Sequence, residues 1–202
     1  MKKTIMLMLI TALMSLCAQA QNAAKARQVL DKTAAIVGNK GGASANFTIK
    51  GAKASTSGKI SIKGSKFTAT TPEATMWYDG KTQWTYMKNT EEVNISNPTE
   101  AQQAQMNPYK FITMYKNGYT LGMKNVASGY EVHLTSQDKK RAIKEMYITV
   151  NSKTYLPSTV RLFNGKNWTT ITISNFKASN LNEAMFTFNS KDFPQAEVID
   201  LR

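Results

Sequence analysis

A mainly β fold, a strongly curved antiparallel sheet covered by short helices, is predicted by three features of this 202-residue chain. Apolar and polar residues alternate in short runs through most of the sequence, as they do in half-buried antiparallel strands. Turn residues such as Ser57-Gly58 and Asp79-Gly80 punctuate those runs. Two stretches, from Ala23 to Val37 and from Asn97 to Lys116, break the alternation and carry helical signals. A single antiparallel sheet must bury one face, and these two stretches are the cover at hand.

The chain opens with an export signal. Met1-Lys2-Lys3 is basic, Ile5 to Leu16 is apolar except for Thr11 and Ser15, and Ala18-Gln19-Ala20 is a small-x-small cleavage pattern. The apolar run is shorter than the roughly 20 residues of a comfortable membrane span, which weighs against an uncleaved anchor. Cys17 leaves a lipid anchor as an open alternative, although Leu16 stands where lipidation usually requires a small residue. A signal peptide over residues 1–20, cleaved after Ala20, leaves one domain over 21–202 with no cysteine. Disulfides, thiol catalysis and Cys-based metal sites are then excluded.

Val29, Leu30, Ala34 and Val37 recur at helical spacing, and the Gly38 to Gly42 cluster stops that helix. Ala45, Phe47 and Ile49 share a strand face, as do Ile60 and Ile62. Strands follow over Lys66–Thr71, Ala74–Asp79, Lys81–Met87 and Glu92–Ile95, and Asp79-Gly80 fits a type I′ hairpin turn. Asn97 is placed to cap a helix with Pro98 at its first position and Glu100 three residues on. A second short helix starts at Pro108 and ends at Gly118. Strands resume over Tyr119–Met123, Tyr130–Thr135, Ala142–Asn151, Ser158–Phe163 and Trp168–Phe176, ten or eleven in all.

Groups suited to catalysis are scarce. His133 is the only histidine, on an alternating strand, so a His-pair metal site is unavailable. No Gly-x-Ser-x-Gly elbow is present, and the glycine cluster follows a helix where a phosphate loop precedes one. The formal charge of +13 is spread along the chain without an Arg-rich block, which with export argues against nucleic acid. Soft apolar bulk stands out instead: 11 methionines, among them Met76, Met87, Met106, Met114, Met123, Met146 and Met185, join 8 tyrosines, 8 phenylalanines and 3 tryptophans. Ordinary core filling accounts for most. Phe111, Ile112 and Met114 differ, because a short helix apolar nearly all round must bury both faces or hold something removable against one.

Two motifs carry a family resemblance. Asp79-Gly80-Lys81-Thr82-Gln83-Trp84-Thr85-Tyr86 resembles the Asp-Gly-Lys-Thr-x-Trp-x-Tyr turn of the outer-membrane lipoprotein carrier (LolA-like) family. The C-terminal run resembles that family's ending: an acidic-alanine turn at Glu183-Ala184, then Phe186-Thr187-Phe188, Phe193-Pro194 and Val198-Ile199-Asp200-Leu201-Arg202. The resemblance implies an incomplete, half-open antiparallel β-barrel with short α-helices forming a lid over the concave apolar face. It implies a periplasmic chaperone, not an enzyme and without a cofactor, that binds the acyl chains of lipoproteins in a hydrophobic cavity and shuttles them to the outer membrane. Its partners would be acylated lipoproteins, an inner-membrane lipoprotein-releasing complex and, as a further candidate, an outer-membrane receptor; the carrier itself would be a monomer.

By position, the resemblance matches Phe67 and Trp84 to family residues and puts Pro108 and Phe111 in the lid helix; Ile112 and Met114 join them through the apolar cluster. The family's Arg-Pro before that phenylalanine is replaced here by Gly64-Ser65, with Lys66 as the adjacent cation, which puts the family's lid latch in question. Two other readings stand beside the carrier: an exported lipid- or lipoprotein-binding sensor or receptor of the same fold, and a hydrolase with an unrecognised site.

Overall fold

The computed structural model describes residues 2–52, 54–100, 102–103 and 107–202, with side chains from residue 20 onward except those of Pro108 and Tyr109. Helix α1 (Lys2–Val37) leads into β1 (Ala43–Lys50), β2 (Ser55–Lys63), β3 (Lys66–Thr70), β4 (Ala74–Tyr78), β5 (Gln83–Met87) and β6 (Glu92–Ser96). Helix α2 (Pro108–Thr113) and a 3-10 turn (Met114–Lys116) precede β7 (Tyr119–Val126), β8 (Gly129–Ser136), β9 (Glu145–Val150), β10 (Pro157–Phe163) and β11 (Trp168–Ala178). Two more 3-10 turns and β12 (Glu197–Asp200) complete the chain.

All the strands join one 12-stranded sheet in the order β12-β6-β5-β4-β3-β2-β1-β11-β10-β9-β8-β7. The chain enters in the middle at β1 and runs outward through a meander to β6. The helical segment then crosses to the opposite edge, and β7 to β11 return inward until β11 pairs antiparallel with β1. The sheet is open and antiparallel apart from β12, which adds parallel to β6. Among the described residues no helix is long and apolar enough to cross a membrane.

One face of α1 fixes how the sheet is covered. Ala26, Val29, Leu30, Thr33, Ala34 and Val37 are all buried, at the i, i+3, i+4 spacing that lines one helical stripe. Thr33 satisfies its hydroxyl by donating to the Val29 carbonyl at 3.0 Å. The N-terminal part of this stripe packs on β7 to β10, where Val132, Leu134, Met146 and Ile148 are fully buried. Its C-terminal part packs with Ile62, Phe67, Tyr78 and Ile112 in a second cluster.

The outer face carries a different cover. Lys63, Lys66 and Thr68 bind the chain after β11: Lys63 donates to the Leu181 carbonyl at 2.8 Å, and Glu183 receives Lys63 and Lys66 at 2.9 and 2.7 Å. Thr68 donates to the Met185 carbonyl. Phe188 and Phe193 pack on Trp77 at 5.6 Å, and Phe193 on Tyr86 at 4.6 Å, while Phe186 is fully buried. The C-terminal segment is thus a strap across β2 to β6, and it ends as their outermost strand.

Several local expectations are revised. The Asp79-Gly80 connection is not a two-residue type I′ turn: Tyr78 pairs with Gln83 across four residues, and of these only Gly80 has positive φ, at 104°. The Asp79 carboxylate holds the loop by accepting the Lys81 and Thr82 amides at 2.8 Å each. The helix after β6 is capped by Thr99, not Asn97; Gln102 accepts the Thr99 amide at 2.8 Å, a capping box two residues later in the chain. Residues 142–144 belong to a loop, since the strand starts only at Glu145. Strand β12 has no alternation long enough to mark it in the sequence, and α1 begins at Lys2, well before Ala23.

Candidate functional site

The stripe on α1 covers only part of the concave face. Against β7 to β10 the inward side chains are sealed, but Phe47, Ile49, Ile60 and Ile171 on the middle strands are not fully buried. With Ile173 they floor a cavity of about 750 Å³, within the range of about 300–1,000 Å³ typical of ligand sites. Strand pairing lays this floor flat: Phe47 opposes Ile173 and Ile49 opposes Ile171 across the β1–β11 seam, and Ala45 opposes Ile60 on the other side. Gly58 sits opposite Phe47, and a side chain there would meet the Phe47 ring at 2.9 Å and the Thr70 carbonyl at 2.1 Å. Its missing Cβ is what lets that ring lie down on the sheet.

The roof comes from α2. Phe111 and Ile112 both line the cavity. Phe111 continues into the larger core cluster, whereas Ile112 packs with Ala34, Val37, Phe67 and Tyr78 in the smaller one. Pro108 opens the helix, where a missing N–H costs nothing. Just before it, Asn107 is 1% exposed and donates Nδ2 to the Ser65 carbonyl at 2.9 Å. Tyr115 ties the far end to α1 through a hydrogen bond to the Asp31 carboxylate. Gly64-Ser65 is the β2–β3 turn, with Gly64 at φ 59° and Lys63 paired to Lys66. Asn107, the residue before α2, is thus joined to the β2–β3 turn.

Of the residues marked out in the sequence, Phe67, Phe111 and Ile112 meet at the cavity. Met114 does not line it and packs against the larger core cluster. Pro108 is placed only by its backbone, and Met106 lies outside the described residues. Trp84 stands on the other face: it pairs with Trp77 and Ile95, whereas Met76 and Tyr78, the strand neighbours of Trp77, point inward. Because side chains alternate with period two, the hairpin's composition could not say which of its faces looks inward. Sequence reasoning missed Asn107 and the floor residues of β11. The Asn-Pro pair before the Phe111 cluster was the available signal for the former.

The outer face of the other half-sheet carries the single histidine. His133 stacks on Tyr147 with ring centroids 4.2 Å apart and its Nε2 is 3.1 Å from a Glu145 oxygen. Arg161 lies 5.4 Å from the Tyr147 ring and 4.9 Å from that of Trp168. These groups are on the opposite side of the sheet from the cavity. Among the described residues no group of three or more His, Cys, Asp or Glu side chains is placed to hold a metal ion. Burial, with Asp79 alongside, raises the Tyr78 phenol above its ordinary value, so it stays neutral as a hydrogen-bond donor to the Gly80 carbonyl at 2.8 Å.

A family model described as outer membrane lipoprotein carrier protein LolA matches residues 16–166. Among solved structures, an uncharacterized conserved protein from Thermus thermophilus superposes with a TM-score of 0.58 at 15% identity, over 87% of this chain and 99% of that one. That likeness shows the fold. A putative outer membrane lipoprotein-sorting protein domain from Vibrio parahaemolyticus gives 0.49 at 12% identity, over 86% and 100% of the two chains. A LolA superfamily protein from Nitrosomonas europaea gives 0.46 at 13% identity, over 81% and 97%. No curated protein sequence matches the chain.

Proposed function

Because this chain belongs to the outer membrane lipoprotein carrier protein LolA family, we propose that it is an exported carrier that holds the acyl chains of lipoproteins in the cavity beneath α2. The observation that carries the reading is the incompletely covered apolar floor of β1, β2 and β11 under the roof that Phe111 and Ile112 of α2 supply. Acyl burial is worth about 0.8 kcal/mol per CH₂, so a chain of roughly 16 carbons costs on the order of 10 kcal/mol to expose to water. A lipoprotein crossing an aqueous compartment needs that surface covered throughout.

Phe67, Phe111 and Ile112 then contact cargo directly, and Met114 positions the lid from the core side. Transfer needs no covalent step. Cleavage of residues 1–20 frees the carrier beyond the inner membrane, where a lipoprotein-releasing complex loads it and an outer-membrane receptor unloads it. The test is native mass spectrometry of residues 21–202 after incubation with membranes containing a triacylated lipoprotein. A soluble one-to-one complex, weakened by Phe111→Glu or Ile112→Glu, is expected. Free lipid bound without any lipoprotein would sink the carrier reading and favour a lipid sensor of the same fold.

A further inference from the structure

The cavity lining is apolar apart from small polar side chains and one rim, where Asn164 and Lys166 reach it. That rim is built from two segments. The turn between β10 and β11 supplies Asn164 to Asn167, and the loop from Gln137 to Lys144 lies against it, joined by the Lys144 amide donating to the Phe163 carbonyl at 2.7 Å. Ala142 and Ile143 of this loop also line the cavity. The Lys144 side chain runs across the turn: a methyl on Gly165 would come 3.5 Å from its Cγ and 3.6 Å from its Cε. Its ammonium donates to the Lys139 backbone carbonyl within the same loop.

Lys166 therefore lines the apolar chamber with Lys144 beside it and Lys139 in the same loop, and none forms an ion pair with a carboxylate among the described residues. Asp138, the acid of the loop, spends one oxygen on the Lys140 amide at 2.8 Å. Arg141 is occupied over the Tyr119 ring at 5.0 Å. Glu73, close in sequence to lining residue Thr71, accepts a hydrogen bond from Thr56 at 3.2 Å and lies in the field of Lys88. The rim formed by the lysines is thus positive, with Asn164 as a neutral partner beside them.

We propose that this rim holds the phosphate-bearing head group of an anionic lipid whose acyl chain occupies the cavity. The inference rests on the acyl-binding reading of that cavity and adds a head-group class to it. Three ammonium groups at a water-exposed edge give modest attraction each, but a phosphate tethered by a buried chain is held at the rim at high local concentration. Ammonium groups on flexible stems suit a phosphate as point charges.

The test compares binding of a lysophosphatidic acid and a monoacylglycerol of the same chain length to the protein, both below their aggregation thresholds. The anionic lipid is expected to bind about ten-fold more tightly, the sum of three weak surface contacts, with the margin shrinking as salt rises. Combined Lys139→Gln, Lys144→Gln and Lys166→Gln substitution should remove the margin, with an unchanged Tm reporting that the variant is folded. Equal binding of the two lipids, or a preference that survives the triple substitution, overturns the head-group site while leaving the cavity reading intact. Binding of neither lipid overturns both. Inorganic phosphate alone binding as tightly as the lysolipid would replace the lipid with a free anion and overturn the proposal.

Discussion

Replacing Asn107 with alanine isolates its link between the start of α2 and the β2–β3 turn. The side chain is 1% exposed and its Nδ2 meets the Ser65 carbonyl at 2.9 Å. A buried hydrogen bond broken on one side costs about 1–3 kcal/mol when the orphaned group stays dry. Ser65 is exposed, so its carbonyl regains water, and the cost falls to the lower part of that range. The backbone bond from the Lys110 amide to the residue 107 carbonyl survives the substitution. A net penalty of about 1–2 kcal/mol raises the lid-open population roughly 5- to 30-fold. Native-state hydrogen exchange reads this directly: amides from Phe111 to Tyr115 should exchange faster by that factor, while Val132 in β8 and Ile148 in β9 keep their protection. Unchanged exchange in α2, or equal losses in both places, refutes the idea that Asn107 holds the lid as a local element.

Three further outcomes follow from the same geometry. Ile173→Trp should fill part of the cavity from its floor, cutting acyl-lipid binding at least about ten-fold with Tm held or raised, because the new ring enters space that is already empty; binding at wild-type strength would show that the chamber is not the ligand site. Trp84→Ala should lower stability by about 2 kcal/mol through lost apolar burial and leave acyl binding intact, whereas loss of binding in a folded variant would return Trp84 to the cavity. Finally, hydrogen bonds from Lys66 and Lys63 hold the Glu183 carboxyl below the usual range, and Arg202 holds Asp200 down at about 2. Both folded values are depressed, so the Glu183 tie of the strap to β2 and β3 contributes fully above the ordinary carboxylate value of about 4 and is lost as pH falls through its lower folded value. Limited proteolysis of the segment after Leu181 should stay constant from neutral pH to about 5 and rise modestly below the ordinary carboxylate range, since the pair is exposed; release already near pH ~6 contradicts the assignment.

What could be seen in the sequence was what repeats at short range. Alternation in Ala45-Phe47-Ile49 and Ile60-Ile62 marked one face of β1 and β2 without saying that it floors a cavity, and the stripe from Val29 to Val37 marked the covering helix. The half-open sheet and its lid were legible through the Asp79 to Tyr86 turn and the C-terminal run, which specify a family and not a packing. Trp84 shows the limit: a rich aromatic strand announces burial without saying against what, since here the strap supplies a second apolar cover on the outer face. The loop at 142–144 reads as strand for a related reason, because Ala142 and Ile143 extend the apolar pattern of β9 while serving the cavity rim. Strand β12 depends on pairing with β6, a partner remote in sequence, and four residues carry too little pattern to reveal it.

The seam between β1 and β11 has a consequence for how the protein is made. The two meanders, β1 to β6 and β7 to β11, close through neighbouring strands and can form early as separate sheets. Joining them requires Phe47 to find Ile173, contacts drawn from opposite ends of the chain, and such distant closures are slow. The chamber has one wall on each meander, so it does not exist until this last zipping is done. A half-assembled molecule would present its greasy floor as two open sheets with exposed edges, the form most prone to stick to its own kind. Newly made chains are therefore most vulnerable just before the chamber forms, and substitutions that loosen the seam will lower the yield of folded protein before they alter its affinity for a ligand.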